Sequence, residues 1–297
     1  MRLQSEVVVV GGGPGGLVAS VYLRRYKRDV VLVRHGTSRA RWIPRIRNLV
    51  GYGDGLTGME LLEKLDDQAL RLRPRVVEGC AVVHRRRKGF LVDVDGCEIE
   101  TRKVILATGM VDKEPPIPNA EALKDKGVLG YCPICDGYDH SEQPVALIVG
   151  DRHGLEKIKF VAKFSPDLHL VLLGDVTLTA KYAKEVERLG IPVYRGLSHM
   201  EYSAKPKGAW MHFKRRKPVW VRLAYVGLGA AVTDSAFRHL RGLRRTKEGF
   251  LLTSYHQETS IPGLYAIGDC VNALAQVSVA VGHAAIAATR VHNELGF

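Results

Sequence analysis

The run Gly11-Gly12-Gly13-Pro14-Gly15-Gly16, placed directly after Val7-Val8-Val9-Val10, constrains the fold more than any other stretch of this 297-residue chain. Successive β-branched residues suit a strand buried on both faces of a parallel sheet. The segment after the glycines, Leu17 to Tyr26, reads as a helix, and Val30-Val31-Leu32-Val33 as a second strand. Strand, glycine turn, helix and strand in this order form the context a dinucleotide-binding turn requires. Gly11 permits the tight turn, Gly13 lets the backbone approach a pyrophosphate, and Gly16 lets helix and strand pack closely, with Pro14 and Gly15 completing the run. The helix N-terminus then presents unpaired N–H groups to phosphate. One position departs from the pattern. Where an acidic side chain ordinarily holds the adenosine ribose stands Arg34, followed by His35, and a guanidinium cannot accept a hydrogen bond from a hydroxyl.

The same outline returns later in the chain. Val145-Ala146-Leu147-Ile148-Val149 leads into Gly150-Asp151-Arg152-His153-Gly154, then a helix over Leu155 to Phe164 and a strand over Leu168 to Leu173. Two related βαβ modules are therefore expected. The second is the poorer binding site, because Arg152 stands where the first has Gly13 and its side chain would occupy the path of a pyrophosphate. Asp175, after the second strand of this module, is of the type that holds a ribose 2′-hydroxyl, while no arginine for a 2′-phosphate follows it.

Between the modules, residues 80–100 alternate as a β-meander with turns at Arg85-Arg86-Arg87-Lys88-Gly89 and Asp95-Gly96, and Lys103 to Gly109 returns as a strand ending in small residues. The loop over Trp42 to Gly58 precedes an amphipathic helix carrying Leu61, Leu62, Leu65 and Ala69. Prolines 115, 116 and 118 mark a linker. The chain is expected to cross back near Pro218 to Leu223, to form an apolar strand over Leu223 to Leu228, and to begin a hairpin at Gly249 to Leu252. A strand ending in Gly268-Asp269 suits a carboxylate facing the polyol of a bound cofactor. The closing helix, Val277 to Leu295, carries a stripe of small residues that permits close packing.

Chemistry concentrates in Cys132-Pro133-Ile134-Cys135-Asp136. Two thiols three positions apart can close a disulfide within one turn of chain, and the adjoining carboxylate can move protons as the pair opens and closes. Half of a zinc site has the same spacing but needs a second ligand pair, which the isolated Cys80, Cys97 and Cys270 do not supply, so no metal is expected. Isolated cysteines ordinarily behave as small buried hydrophobes.

An odd count of five cysteines makes no disulfide framework and points to a reducing cytoplasm; no signal peptide or membrane span is expected. The net charge of +13 fits either steering of an acidic partner or simply a basic proteome, since charge alone identifies no partner. Its basic residues fall in turns such as 85–88 and 214–217 rather than interleaving with aromatics on one face, which argues against nucleic-acid binding.

Together, Gly11 to Gly16, Ala107-Thr108-Gly109, Cys132-x-x-Cys135-Asp136-Gly137 and Gly268-Asp269 with the helix after it resemble the low-molecular-weight thioredoxin reductases, flavoproteins of the pyridine nucleotide-disulfide oxidoreductase class. The resemblance covers nearly the whole chain. It implies two Rossmann-like three-layer α/β domains, the second inserted into the first: residues 1–113 and 222–297 for FAD, and residues 114–221 for an NAD(P)-binding-like domain carrying the dithiol. It implies Cys135 nearer the flavin, Cys132 attacking the partner's disulfide, and Asp136 as proton donor and acceptor. It further places Asn48 with Gly51, and Gln276 and Val277 with Ala280 and Gly282, around the isoalloxazine ring. A homodimer, a thioredoxin-like protein or small disulfide as substrate, and a rotating inserted domain also follow from it.

Arg34, Arg152 and Ala275 depart from that family's pattern, and NADPH or NADH as donor is put in question by the second of these. The leading expectation is a flavin-dependent disulfide oxidoreductase. Its alternatives are a reductase fed by ferredoxin or another acidic carrier, a dithiol oxidase drained by oxygen, and a non-catalytic FAD-binding redox sensor.

Overall fold

The computed structural model describes residues 2–296. In chain order the first elements are β1 (Arg2–Val10), α1 (Pro14–Arg25), β2 (Val30–Arg34), α2 (Gly58–Arg71), β3 (Arg75–Glu78), β4 (Ala81–Arg85), β5 (Phe90–Val94), β6 (Cys97–Leu106) and β7 (Met110–Asp112). Then come α3 (Ala120–Asp125), β8 (Leu129–Gly130), α4 (Pro133–Asp136), β9 (Val145–Val149), α5 (Arg152–Leu155), α6 (Ile158–Ala162), β10 (Leu168–Leu172) and α7 (Ala180–Arg188). The last are β11 (Val193–Arg195), β12 (Leu197–Ala204), β13 (Lys207–Phe213), β14 (Arg216–Val221), β15 (Leu223–Gly227), β16 (Ala230–Val232), β17 (Leu264–Ala266) and α8 (Val277–Leu295). Two compact units result. The first holds residues 1–41, 57–111 and 231–297, and the second residues 42–56 and 112–230.

The first unit is built on a seven-stranded sheet of order β3-β2-β1-β6-β5-β4, with β17 also on β6. The valines of β1 explain its centre: Val7, Val8 and Val9 are fully buried, and each such side chain contributes roughly 1.5–3 kcal/mol of burial. β1 lies parallel to β2 and to β6, with Val8 opposite Val31 and Val104. On one face α1 and α8 pack through Leu17, Leu23, Ala284, Ala287 and Ala288. The small residues of α8 let two helices share that face. The other face is covered by residues that include Phe237, Leu251 and Ile261. α2 begins in a capping box in which Thr57 Oγ1 accepts from the Glu60 amide and the Glu60 carboxylate accepts from the Thr57 amide, at 3.1 and 2.7 Å. Such a cap is worth about 1 kcal/mol.

The second unit has a wholly parallel sheet of order β11-β10-β9-β15-β8 and a three-stranded antiparallel sheet β12-β13-β14. The β9 residues Val145 to Val149 are buried between two apolar layers, one supplied by α5 to α7 and the other by the antiparallel sheet. The strand Leu223–Gly227 belongs to this sheet, pairing Ala224 with Ala146. The return crossing therefore falls at residue 230, not near 222. Short strands β7 and β16 pair with each other, so the two crossings run as one ribbon.

Three further differences from the sequence reading have local causes. The helix expected over Leu155 to Phe164 is two short pieces, α5 and α6. Gly249 to Leu252 forms only isolated bridges, with Leu251 against Arg245 and Val271. The loop over residues 42–56 groups with the second unit, through an ion pair of Arg47 Nε with Asp139 at 2.8 Å and the Lys124 ammonium 4.4 Å from the Trp42 ring centre.

Candidate active site

In the first unit, the glycine run turns the chain from β1 into α1. Gly11 has φ +127°, and a Cβ there would lie 2.2 Å from the Ala107 carbonyl oxygen. A Cβ on Gly16 would lie 1.8 Å from the Gly11 oxygen, so helix and strand meet with no room for a side chain. Gly13 is the N-cap of α1 and provides no side-chain cap, and no acidic residue lies in the first turn. The first amides of this twelve-residue helix thus remain open to an external anion, favoured by the helix dipole. Pro14 and Gly15 form that first turn.

Around this cradle the structure gathers Ala107 and Thr108 after β6, Gly109 at φ +68°, Gly268 at φ +69° and the Asp269 carboxylate. Asp269 accepts from Arg39 Nη1 at 3.1 Å. A Cβ on Gly268 would meet Ala280 of α8 at 3.4 Å, and the Gly268 amide lies 3.4 Å from His283 Nδ1. His283, whose pKa burial lowers, was missed because the surrounding stripe of small residues reads as packing alone. Gln276 is the N-cap of α8 and Val277 its first residue. The side-chain-free turn, the uncapped helix and the carboxylate beyond fit FAD, the group the family implies, with Gly13, Gly268 and Asp269 the residues that would hold it.

Arg34 lies beside this turn in a way the sequence does not reveal. Its methylenes pack against Gly12, whose Cβ would meet them at 2.9 Å. Its guanidinium bonds Asp66 at 2.6 Å and Glu78 at 2.8 Å. Two carboxylates therefore stand near the end of β2, both engaged by Arg34. Asn48 and Gly51 are exposed in the segment that groups with the second unit, whereas Gln276, Val277, Ala280 and Gly282 belong to the first. Cys80 is exposed, with its sulfur 3.4 Å from His35 Nε2, contrary to a buried role; Cys270 is buried, and burial pushes its thiol up to about 11.

In the second unit Cys132 and Cys135 are joined by a disulfide, with their Cα atoms 5.4 Å apart. Cys132 is the N-cap of α4 and Pro133 the first residue of its turn, a position that suits proline because no amide is needed there. Asp136 follows, and its Oδ1 accepts a 2.8 Å hydrogen bond from the Tyr225 hydroxyl. Tyr225 comes from β15 and is fully buried; Gly130 makes room for its ring, which a Cβ there would approach to 3.2 Å. Burial pushes the Asp136 carboxyl up to about 6; the Tyr225 bond opposes this and Asp139 adds to it. Burial and the neighbouring carboxylate push the Tyr225 phenol far above its ordinary value, so it stays a donor.

A cationic group completes the setting. The half-buried Arg222 has one buried guanidinium nitrogen, Nη1, with no hydrogen-bond partner among the described residues. Burial lowers its pKa and Asp136 raises it. Burial first and the Arg222 charge second also push His140 and Lys207 down. Around the disulfide, Ile134 and Tyr138 are exposed by 52 % and 86 %. Neither Tyr225 nor Arg222 was singled out in the sequence, where they sit in what reads as an apolar strand and its approach.

The turn after β9 differs from that after β1. Asp151 is the N-cap of α5, and its carboxylate accepts from the Gly154 amide at 2.9 Å. Arg152, expected to block this turn, is exposed; the group on the amide is Asp151. Asp175 is exposed at the end of the strand that follows. Among the described residues there is no cluster of metal-ligating side chains and no helix long and apolar enough to cross a membrane.

Comparison with known proteins agrees with this geometry. The family model described as pyridine nucleotide-disulphide oxidoreductase matches residues 5–284. A thioredoxin reductase of Aquifex aeolicus is 25 % identical over 98 % of this chain and 93 % of its own length. The crystal structure of HlmI is 26 % identical, with a TM-score of 0.87 over 98 % of this chain and 92 % of that one. The thioredoxin reductase of Streptococcus pyogenes MGAS5005 shares the fold at 21 % identity, with a TM-score of 0.88 over 99 % of both chains. With more than half its length matched by the family model, the chain belongs to the pyridine nucleotide-disulphide oxidoreductase family.

Proposed function

We propose that the protein is a flavin-dependent disulfide oxidoreductase that exchanges electrons between FAD and the Cys132–Cys135 pair, and passes them to a thioredoxin-like protein or small disulfide. The observation that carries this reading is the disulfide seated beside a carboxyl whose pKa lies near the working range, at about 6. When bound, FAD supplies a two-electron store. The glycine turn and α1 would hold its pyrophosphate, and Asp269 would hold its polyol.

The residues of the second unit then have distinct tasks. Cys132 is the attacking sulfur: as a thiolate it displaces one sulfur of the partner's disulfide, forming a mixed disulfide, and Cys135 attacks Cys132 to release the partner as a dithiol. Asp136 gives a proton to the departing thiolate and later takes one from Cys135 as it closes the bond. Tyr225 keeps that carboxyl oriented and limits the rise of its pKa. The Arg222 charge favours the anionic form of that carboxyl. The exposed Ile134 and Tyr138 supply apolar contact for the partner.

In this reading the protein acts as a homodimer, and Gln276 and Val277 would contact the ring. A second reading keeps the dithiol chemistry and changes the other couple: an acidic carrier such as ferredoxin delivers the electrons, which the net charge of +13 favours. The test is anaerobic mixing of the reduced holoprotein with an oxidised thioredoxin-like protein. Stoichiometric appearance of partner thiols with return of the flavin band supports the proposal, and a reduced flavin that never reoxidises overturns it.

A further inference from the structure

We infer that the second βαβ module is closed against nicotinamide dinucleotides by the chain's own side chains, so that neither NADPH nor NADH is held there. This goes beyond the assignment of the dithiol and does not depend on which way electrons flow.

A dinucleotide site needs free amide donors at the turn after its first strand and a free ribose-binding end on its second strand. The first need is unmet. Asp151 places its carboxylate on the Gly154 amide at 2.9 Å, so an anionic acceptor already occupies a donor that a pyrophosphate would use. Its negative charge would also repel a phosphate brought to the same amide. The helix behind the turn gives little compensation, since α5 is four residues long and breaks before α6, whereas α1 runs for twelve. At the N-cap of α1 in the first unit, Gly13 has no side chain to cap the helix amides.

For NADPH, whose 2′-phosphate calls for a free arginine, the second need is unmet as well. At the end of β10 the Arg195 guanidinium donates to the Gly174 carbonyl at 3.4 Å and to the Val176 carbonyl at 2.5 Å. Arg195 thereby fastens the turn that carries Asp175 instead of awaiting a 2′-phosphate. Register puts it there, with Arg195 of β11 opposite Leu172.

The glycines that survive in this turn have another explanation. A Cβ on Gly150 would lie 2.7 Å from Leu228, and one on Gly154 would lie 2.5 Å from the Gly227 oxygen. Gly154 is required where α5 meets the ends of β9 and β15, ligand or no ligand, whereas at Gly150 the neighbour is the tip of a leucine side chain that can shift. The residual resemblance to a nucleotide turn is thus maintained by the fold, and the position between them is free to carry Asp151 and Arg152.

The test uses purified holoprotein of known FAD content, titrated with NADPH and NADH separately, with binding read by calorimetry and by nucleotide fluorescence. Neither readout needs turnover, so loss of the flavin or of dithiol activity cannot mimic the result. The wild type is expected to show no saturable binding at micromolar nucleotide. Asp151→Gly, which frees the Gly154 amide, should tighten binding by about tenfold or more, and the isosteric Asp151→Asn by a smaller factor in the same direction. Saturable micromolar binding of either nucleotide to the wild type overturns the inference. So does an Asp151→Asn protein, folded by circular dichroism, that binds no better than the wild type.

Discussion

The hydroxyl of Tyr225 donates a 2.8 Å hydrogen bond to Oδ1 of Asp136, 89 positions earlier in the chain. This bond lowers the carboxyl's pKa against a burial effect that raises it to about 6. Tyr225→Phe removes the opposing influence and should raise the pH at which Asp136 ionises by roughly 0.5–1 unit. The pH profile of disulfide exchange with a small dithiol reads it. A midpoint that stays in place while the rate falls at every pH would show that Tyr225 serves packing alone.

Asp136 also makes a prediction about stability. In the folded protein its carboxyl ionises near 6, against an ordinary 3.8. The folded state therefore retains a proton in that interval which the unfolded chain releases. The stability tied to this group is fully present below about 3.8 and is lost as pH rises toward about 6. Asp136→Asn should stabilise the protein by about 1–2 kcal/mol near neutral pH relative to acid pH, while slowing disulfide exchange by ~10²-fold. Urea unfolding at the two pH values checks the first, stopped-flow thiol assays the second.

Gly16 and Gly13 separate folding from cofactor binding. A Cβ on Gly16 would lie 1.8 Å from a backbone oxygen that cannot move aside, so Gly16→Ala should cost about 1–3 kcal/mol and lower flavin content. At Gly13 the nearest atom is the Ser38 hydroxyl at 3.1 Å, which can rotate away. Gly13→Ala should therefore leave the melting temperature nearly unchanged while weakening FAD retention. Dialysis followed by absorbance measurement of bound flavin distinguishes the two.

The two sulfurs should respond differently to serine. Cys132→Ser should abolish attack on a partner disulfide and keep the yellow flavin. Cys135→Ser should still attack but stall, leaving the partner covalently attached through Cys132. Mass spectrometry after mixing with an oxidised thioredoxin-like protein would find that adduct in the second variant and not in the first.

Much of the architecture is legible because its signals are local. The valine run and the glycines of β1 and α1 determine strand, turn and helix by adjacency, and Cys132 and Cys135 lie close enough to close their own bond. What was missed depends on side-chain direction or on long-range register. Leu223 to Gly227 is apolar on both faces and reads identically in either sheet; only its pairing with Val145 to Val149 assigns it to the second unit. Arg152 drew attention by its size, yet the residue on the phosphate amide is its neighbour Asp151, a matter of one rotamer. Tyr225 reads as one more core residue of a strand, and its hydroxyl partner can be found only once β15 lies beside β8.

The central claim is that the sulfur pair and a bound flavin share electrons in one protein. Anaerobic reductive titration of the FAD-loaded protein, followed at the flavin band, tests it directly. The account predicts two electron pairs per subunit for the wild type and one pair for Cys135→Ser, with partial reduction of the wild type relaxing to a common equilibrium between flavin and thiols. Uptake of a single pair by the wild type, with Cys132 and Cys135 still oxidised when the flavin is fully bleached, would contradict it.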